Sequence, residues 1–338
     1  MIKEALAKLV EKKDLSEGEA GNSMQEIMNG QATPSQIAAF LMGLRLKGET
    51  VEEITGCARV MREKAVKIKI EREVILDTCG TGGDAKHTFN ISTISALVIA
   101  GAGVTVAKHG NRSISSRCGS ADLLEKLGVK IDASVEIIER CLQEAGIGFL
   151  FAPLFHPAMK YAMPTRKELG LRTIFNILGP LTNPCQANCQ LMGVYDEKLT
   201  ETLVRVLKAL GSRRAFVVHG QDGLDEVTTT TSTKISELTA SGEIKTYLFN
   251  PEELGLKRCP PLELIGGEVA ENVKIAEAIL KGEKGPRRDI VLINAAFGMV
   301  AAGKAKDLRE GIKLSSASID SGEAREKLSR LKAITNAS

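Results

Sequence analysis

Residues 73–84 read EVILDTCGTGGD, a short apolar run that ends in an acidic residue and a glycine-rich turn. The apolar run predicts a buried strand at Val74–Leu76, and the stretch Ile91–Gly101 predicts a helix after the turn. Val104–Ala107 then predicts a second strand. A strand, a helix and another strand in this order form a βαβ unit, which is typical of a parallel sheet.

The same alternation continues along the chain. Further apolar runs predict strands at Gly148–Phe151, Leu191–Val194, Ala215–Val218, Lys245–Leu248 and Ile290–Ile293. Helical segments lie between most of them, at Ser120–Leu127, Ser134–Ala145, Glu197–Leu210, Val269–Leu280 and Asn294–Ala302. We therefore expect an α/β domain with a mostly parallel central sheet, a class of sheet that binds ligands at the carboxyl ends of its strands.

The amino-terminal part of the chain has a different pattern. Residues 1–68 predict a small all-helical domain, with helices near 2–12, 16–29, 34–47 and 51–65. Capping boxes at Ser16–Glu19 and Thr50–Glu53 mark two of the helix starts, and Thr33-Pro34 marks a third. The stretch 164–184 also has helical spacing and is expected to return to this domain. The α/β domain then comprises residues 70–163 and 185–338.

The composition excludes several classes of protein. The chain has 338 residues, a net charge of +3, seven cysteines and no tryptophan. The small net charge argues against a nucleic-acid-binding coat. We expect no membrane partner, because no apolar run approaches the roughly 18 residues of a span. The amino terminus lacks the pattern of a signal peptide, and the scattered cysteines predict reduced thiols, so a cytoplasmic location is expected.

The turn Gly80-Thr-Gly82-Gly83-Asp84 is the strongest local signal. Glycines let main-chain amides converge on an anion, and a following helix adds a favourable field. The spacing also fits a loose dinucleotide fingerprint, but such a site needs an acidic residue at the end of the next strand. Lys108 stands there instead, which disfavours a dehydrogenase. A purely structural turn remains the alternative.

A second polar cluster follows the second predicted strand. Residues 108–116 read KHGNRSISS and are followed by Gly119-Ser120. Adjacent parallel strands would place this loop beside the glycine-rich turn, so amides and cations together suit a ligand with two phosphate groups. Asn90–Thr93, at the start of the intervening helix, add hydroxyls that either cap the helix or reach a phosphate or metal. A solvated basic turn is the alternative for the loop.

Two further groups complete the set. Asp225-Glu226 follows a predicted strand and is either a surface pair or a Mg²⁺ site facing the phosphates, since Mg²⁺ prefers carboxylates and phosphate oxygens. Arg166 or Arg172, in the returning segment, is either a surface cation or a ligand for an anionic second substrate. His156 and His219 lack a nucleophile partner and are expected to be structural.

Taken together, these motifs resemble the anthranilate phosphoribosyltransferases of tryptophan biosynthesis, which have the nucleoside phosphorylase/phosphoribosyltransferase fold. The resemblance covers nearly the whole chain and includes Phe155–Pro157 and Arg166–Pro184. It implies an enzyme that joins anthranilate to 5-phosphoribosyl 1-diphosphate (PRPP), releases diphosphate, requires Mg²⁺ and forms a homodimer through the helical domain.

The resemblance also implies roles for individual residues. His109 and Asn111 are the expected catalytic residues, and Gly80, Asn111 and Arg166 are expected to contact anthranilate. Ser92, Asp225 and Glu226 are expected to bind Mg²⁺. The expected PRPP contacts are Gly80, Gly83, Asp84, Thr88, Asn90, Ile91, Ser92, Thr93, Lys108, His109, Gly110, Asn111, Arg112, Ser113, Ile114, Ser115, Ser116 and Ser120.

Two related functions remain as alternatives. A pyrimidine-nucleoside phosphorylase shares the architecture, but the loop 108–116 and the Arg166 segment resemble the transferases. A non-catalytic nucleic-acid-binding relative of the same fold predicts a more basic chain that has lost the acidic pair or the glycine-rich turn, and neither change is present.

Overall fold

The computed structural model describes residues 1–113 and 117–337, which form a helical bundle beside an α/β layer. The helices are α1 Ile2–Val10, α2 Glu17–Met28, α3 Pro34–Lys47, α4 Val51–Lys64, α5 Ile91–Gly101, α6 Ser120–Lys126, α7 Val135–Arg140, α8 Ala152–Phe155, α9 Met163–Leu169, α10 Phe175–Leu181, α11 Leu199–Ala209, α12 Val269–Leu280, α13 Pro286–Ala301, α14 Leu308–Asp320 and α15 Glu323–Asn336. The strands are β1 Leu76–Gly80, β2 Val106–Gly110, β3 Ile147–Phe151, β4 Cys189–Gly193, β5 Arg214–Gly220, β6 Thr233–Leu238 and β7 Ile244–Phe249.

The capping residues set the starts of α2, α3 and α4. Ser16, Thr33 and Thr50 each accept a hydrogen bond from the main chain three residues on, and each forms a complete capping box. The Glu53 carboxylate is fully buried, and it also accepts from Leu15 N (2.9 Å) and pairs with Lys47 (3.0 Å). Local sequence signals and one buried ion pair therefore fix the bundle.

The sheet has the strand order β3-β2-β1-β4-β5-β6-β7. The first five strands in this order are parallel, and β6 and β7 are added antiparallel. The prediction of a mostly parallel sheet is confirmed. Because β2, β1, β4 and β5 are neighbours, the segments that leave their carboxyl ends meet at one edge of the sheet.

Alternating side chains of the sheet enter two separate cores. Phe216 and Val218 of β5 pack with α5, α13 and α15 on one face. Successive side chains of a strand point to opposite faces of the sheet, so Ala215 and Val217 pack with α11 and the helical bundle on the other face. This two-faced burial explains why the parallel strands read as continuous apolar runs.

The segment expected to return to the bundle does pack against it. α9 contacts α3, α10 contacts α4, and Phe175 and Leu178 share a core with Phe40 and Ile54. Arg62 of α4 donates to the carbonyls of Leu181 (2.7 Å) and Leu210 (3.2 Å), at the carboxyl ends of α10 and α11. The bundle is thereby joined to the α/β layer along α10.

The structure corrects three local predictions. Ile290–Ile293 is not a strand but part of α13, because a short apolar run buried on all sides gives no periodicity that distinguishes strand from helix. The strand β6 at Thr233–Leu238 was not predicted. The first two strands also begin later than expected, so that Lys108 and His109 lie within β2 rather than in the following loop.

Among the residues that the structure describes, no helix has the length and apolar character that a membrane crossing requires.

Candidate active site

The site lies where β1 and β4 end under the loop that follows β5. A Cβ atom at Gly193 would lie 1.6 Å from the main-chain oxygen of Asp225, and one at Gly80 would lie 2.4 Å from Asp225 Oδ2. Both strands therefore end in glycine because the acidic loop passes directly over them. The predicted convergence of the glycine-rich turn and the acidic pair is present in the structure.

Each carboxylate of the pair accepts a main-chain hydrogen bond from a different element. Asp225 Oδ2 accepts from Gly82 N at 2.9 Å, and Glu226 Oε1 accepts from Ser92 N, in the first turn of α5, at 3.1 Å. The Ser92 hydroxyl also bonds to Glu226. The acidic pair is thus half-buried and built into the site rather than a solvated surface pair.

Electrostatics make this pair suited to a cation. Burial raises the pKa of both Asp225 and Glu226, and repulsion from the neighbouring Asp84 carboxyl raises both pKa values further. A divalent cation would remove the repulsion, and the donors are the hard oxygens that Mg²⁺ prefers. Within residues 1–113 and 117–337, no group of three or more acidic, histidine or cysteine side chains forms a complete metal site. The residues therefore fit Mg²⁺ that takes its remaining ligands from substrate phosphates and water.

Lys108 lies beneath the acidic pair. Its ammonium group is buried and donates to the Thr78 carbonyl at 2.6 Å and to Ser92 Oγ at 3.3 Å. Burial lowers its pKa, while the charges of Asp77 and Glu226 oppose that shift. Lys108 is therefore a buried side chain of β2 that bonds to Thr78 and Ser92, not part of a solvated basic turn.

His109, the next residue of β2, faces α10. Its Nδ1 lies 3.2 Å from the Gly179 carbonyl, and because a carbonyl only accepts, Nδ1 carries the hydrogen and Nε2 is an acceptor. Nε2 is buried and without a hydrogen-bond partner among the described residues. Burial, with some contribution from His156, lowers the pKa of His109 to about 3, so the ring is neutral at physiological pH.

His156 stands beside His109, with the ring centroids 5.1 Å apart. Its Nε2 is also buried and unpaired within the part of the chain that the structure describes, and burial lowers its pKa to about 4. Sequence reasoning set His156 aside because no nucleophile partner was evident. Two neutral imidazoles, each with an unused ring nitrogen, instead form one polar wall beside α10.

A buried network holds this wall in place. Asp77 accepts from His109 N (3.2 Å) and from Asn183 Nδ2 (2.8 Å), and Asn183 also donates to the Ala107 carbonyl (2.8 Å). Burial raises the pKa of Asp77 to about 6. The sequence alone assigned no role to Asp77 or Asn183. The two residues lie 106 positions apart, and only the fold brings them into contact.

The loop after β2 is arranged around Asp122. Its carboxylate accepts from Ser113 N and Gly119 N, and it pairs with Arg112 at 2.9 Å. Arg112 also makes a bidentate pair with Glu125. The Asn111 carbonyl accepts from Ser120 Oγ at 3.3 Å, which closes the loop onto α6. Predictions for three residues lie outside the described part of the chain: Ile114, Ser115 and Ser116.

The segment 84–93 leads from the glycine-rich turn into α5 and contacts the loop after β2. Asn90 donates to the Cys118 carbonyl at 3.0 Å, and its Oδ1 is buried without a partner among the described residues. Ile91 and Thr93 are buried, and their main-chain amides donate to the Phe89 carbonyl (2.7 Å) and the Asn90 carbonyl (3.2 Å). Thr88 forms an isolated bridge with Ile265, and Gly83 lies beside Asp84 in the glycine-rich loop. Gly110 ends β2 against Ser120, where a Cβ atom would meet Ser120 Oγ at 2.2 Å.

The two arginines of the returning segment have different surroundings. Arg172 stacks over Tyr195 at 4.4 Å and donates to the Gly83 carbonyl. Arg166 stacks over Phe175 at 5.0 Å, and the one hydrogen bond of its guanidinium group to a described residue is to the sulfur of Met163. Arg172 is therefore engaged by the protein, whereas Arg166 is a half-buried cation available to an anion. Phe175 lies one turn, about 6 Å, along α10 from Gly179, so Arg166 and His109 contact the same helix.

Comparisons with known proteins agree with this geometry. Residues 3–65 match the glycosyl transferase family helical bundle domain, and residues 72–325 match the glycosyl transferase family a/b domain. A curated relative from Geotalea uraniireducens, an anthranilate phosphoribosyltransferase, is 57% identical and covers 99% of this chain and 100% of its own.

Solved structures give the same result. The anthranilate phosphoribosyltransferase of Thermus thermophilus superposes with a TM-score of 0.93 at 45% identity, covering 98% of this chain and 99% of its own. That of Saccharomyces cerevisiae, in complex with PRPP and Mg, superposes with a TM-score of 0.90 at 28% identity, covering 99% of this chain and 97% of its own.

Proposed function

The chain belongs to the glycosyl transferase family and, within it, to the anthranilate phosphoribosyltransferases, and we propose that its reaction takes place in the cleft at the carboxyl ends of β1, β2, β4 and β5. The enzyme transfers the phosphoribosyl group of PRPP to the amine of anthranilate and releases diphosphate, a step of tryptophan biosynthesis. A pyrimidine-nucleoside phosphorylase and a non-catalytic nucleic-acid-binding protein are not favoured, because the relatives over the full length of the chain are these transferases.

One observation carries the assignment of the cleft. The glycine-rich turn, the first turn of α5 and the acidic pair meet through the Gly82–Asp225 and Ser92–Glu226 hydrogen bonds. Main-chain donors and carboxylates at one point suit a ligand that carries both phosphates and a cation. We assign PRPP to this point, with Asp84, Asn90 and the loop after β2 around it.

The acidic pair and the first turn of α5 provide the ligands that would hold Mg²⁺. Asp225, Glu226 and the Ser92 hydroxyl would hold Mg²⁺, which when bound neutralises the charge that diphosphate gains as it leaves. Lys108 lies beneath these groups and donates a hydrogen bond to the Ser92 hydroxyl. The amides of the glycine-rich turn orient the donor, so that its anomeric carbon faces the cleft toward α10.

Anthranilate belongs on the α10 side of the cleft. Arg166 has the exposure and the free charge to hold its carboxylate, and Asn111 and Gly80 lie at the ends of the two flanking strands. His109 Nε2 is a neutral acceptor, suited to receiving a hydrogen bond from the aryl amine. With a pKa of about 3, His109 orients the nucleophile rather than removing a proton before attack.

The chemistry does not need a strong base. An aryl amine is already uncharged at neutral pH, and its lone pair attacks as the bond from the anomeric carbon to diphosphate breaks. The reaction therefore depends on alignment of the two substrates and on stabilisation of the leaving diphosphate. The residues of the cleft provide both, and the nitrogen loses its proton, to the departed diphosphate or to water, only after it has become positively charged.

The reaction itself is tested by following the fluorescence of anthranilate. We expect consumption only when enzyme, PRPP and Mg²⁺ are all present, and recovery of activity when Mg²⁺ is restored after chelation. Consumption of a pyrimidine nucleoside with phosphate, without turnover of anthranilate, would contradict the assignment.

Replacing Arg166 tests the acceptor side of the cleft. We expect Arg166→Ala to raise KM for anthranilate by about 10- to 100-fold, because a charge-assisted hydrogen bond contributes about 1.5–3 kcal/mol. KM for PRPP should change little. Steady-state kinetics with each substrate varied in turn measure both constants, and an equal rise in the two would move Arg166 out of the acceptor site.

The helical domain, which we assign to residues 1–68 with 164–184, is the proposed surface of a homodimer. α1 and α3 pack against each other, yet Val10 and Leu46 on these helices are 85% and 77% exposed. Apolar residues occur all around α3, which is typical of a helix covered on more than one side. A second copy of the chain would cover these side chains.

Leu46→Glu tests this interface. We expect the variant to sediment as a monomer while the unmodified enzyme sediments as a dimer, because a charge placed in an apolar interface disfavours association. Leu262→Glu is the control, since Leu262 is equally exposed (76%) but lies in a turn of the α/β domain. Dissociation by Leu262→Glu alone would place the interface elsewhere.

We also propose that the enzyme works in the cytoplasm. No cysteine forms a disulfide within the part of the chain that the structure describes, as expected for a protein of a reducing compartment. Fractionation of cells followed by immunodetection tests the location.

A further inference from the structure

Beneath the acidic pair, one polar side chain interrupts the apolar stretch Ile290–Ala301 of α13. Asn294 is the only residue of Ile290–Ala301 in α13 whose side chain carries a nitrogen or oxygen atom, and it is completely buried. An amide in such surroundings destabilises the fold unless all its polar atoms are paired. What Asn294 pairs with therefore indicates why it is there.

Its partner is the residue that follows the acidic pair. Val227 N donates to Asn294 Oδ1 at 3.0 Å, and Asn294 Nδ2 donates to the Val227 carbonyl at 2.8 Å. The second hydrogen of Nδ2 bonds to the Ile290 carbonyl, also at 2.8 Å. The side-chain amide thus bonds to both the main-chain amide and the carbonyl of Val227, which is how a neighbouring strand would pair with it. Val227 itself lies outside the strands of the described residues.

We propose that Asn294 is a positioning residue that holds the Asp225-Glu226 main chain in the register required to bind Mg²⁺. The inference rests on the proposed function of the acidic pair. Repulsion between the two carboxylates favours their separation, so without a restraint the loop would relax away from the geometry that a cation needs. The strand end at Gly193 prevents the loop from moving toward the sheet, and Asn294 prevents it from moving away.

The contact is specific for the acidic loop. Nearer to β5 the loop is held by its own turn, in which Gly220 N donates to the Leu224 carbonyl at 2.8 Å. Between Leu224 and Val227 lie only Asp225 and Glu226. Asn294 therefore fixes one end of the two-residue segment whose carboxylates face the cleft, and the turn fixes the other.

The test compares Asn294→Ser with Asn188→Ser. The hydroxyl introduced by Asn294→Ser can donate to the Ile290 carbonyl four residues earlier, while Val227 is released. Asn188 is a matched control, because it also accepts from one main-chain amide (Ile75 N, 3.0 Å) and donates to one carbonyl (Glu73 O, 2.7 Å), but at the amino-terminal ends of β1 and β4, the opposite edge of the sheet. Asn294→Leu provides a second variant that keeps the approximate volume of the side chain and removes every hydrogen bond.

Mn²⁺ binding in the presence of PRPP, followed by electron paramagnetic resonance, is the first measurement. We expect the Asn294 variants to bind Mn²⁺ about 10- to 100-fold more weakly, as is typical when a residue that orients metal ligands is lost. KM for PRPP at limiting Mg²⁺ should rise, while KM for anthranilate should stay unchanged. Hydrogen exchange should quicken at the Val227 amide and stay unchanged in the strands.

Four outcomes separate the possibilities. Wild-type Mn²⁺ affinity in folded Asn294 variants would overturn the proposal, and so would an equal loss of affinity in Asn188→Ser, which would show general loosening. Asp225→Asn is measured alongside: if it too leaves Mn²⁺ binding unchanged, the acidic pair is not the metal site and the proposed function of the pair fails. Loss in Asp225→Asn together with no loss in Asn294→Ser rejects the inference alone.

Discussion

Gly193→Ala is expected to reduce kcat by about 10²-fold or more while the protein stays folded, because misplacing catalytic groups by about 1 Å has effects of this size. The added Cβ would lie 1.6 Å from the main-chain oxygen of Asp225, far inside van der Waals contact. β4 is held by hydrogen bonds to β1 and β5 along its whole length, so the acidic loop must move instead. Asp225 and Glu226 would then leave Gly82 and Ser92, which are their hydrogen-bond donors.

Steady-state kinetics check this result. The loss should appear in kcat and in the Mg²⁺ concentration for half-maximal rate, with KM for anthranilate little changed. Gly18→Ala is the control, since a Cβ on this glycine of α2 meets nothing within 4 Å. A Gly193→Ala enzyme with wild-type kinetics would show that the position of Asp225 over the strand ends is unimportant for turnover.

The glycines at 80 and 193 show how far the sequence alone predicts this site. Gly80 belongs to a recognisable glycine-rich turn, so an anion site after β1 could be predicted from spacing. Gly193 lies within an ordinary apolar run, and nothing local indicates that an acidic loop 32 residues further on passes over it. The strand order β1-β4-β5, which brings the two together, follows from packing of whole layers rather than from any one segment.

His156, Asp77 and Asn183 illustrate the same limit. Each has a polar side chain in a buried position, and a polar residue among apolar ones looks the same in sequence whether it is structural or functional. Only the fold shows that all three surround His109. Ile290–Ile293 gives the opposite error, because four apolar residues in a row fit a buried strand as well as a buried helix, and α13 is distinguished by its length and by Pro286 at its start.

Asp225→Asn combined with Glu226→Gln is expected to reduce Mg²⁺-dependent turnover by about 10²- to 10³-fold, the range observed when preorganised groups that stabilise developing charge are removed. Amide oxygens are weak ligands for Mg²⁺, and the leaving diphosphate would lose its link to the protein. Initial rates across a Mg²⁺ titration measure the effect. An unchanged titration curve would place the metal elsewhere.

The same double variant is expected to be more stable than the unmodified enzyme once Mg²⁺ is chelated. The folded-state pKa values of Asp225 and Glu226 are raised, so each carboxylate destabilises the fold when it is charged, and this cost shrinks as the pH falls from the raised pKa toward the ordinary one. We therefore expect the double variant to have a higher melting temperature than the unmodified enzyme at about pH 9. The difference in melting temperature should shrink at about pH 5. Each kcal/mol of added stability corresponds to a rise of about 2–4 °C in melting temperature. Thermal unfolding with and without Mg²⁺ measures this difference. The control is the double variant Asp196→Asn with Glu197→Gln, which changes another adjacent acidic pair, one in which Glu197 is exposed. This control should show no gain in melting temperature. An acidic pair kept at a cost in stability is what a metal site requires, because the concentrated negative charge that destabilises the empty site is also what attracts the cation.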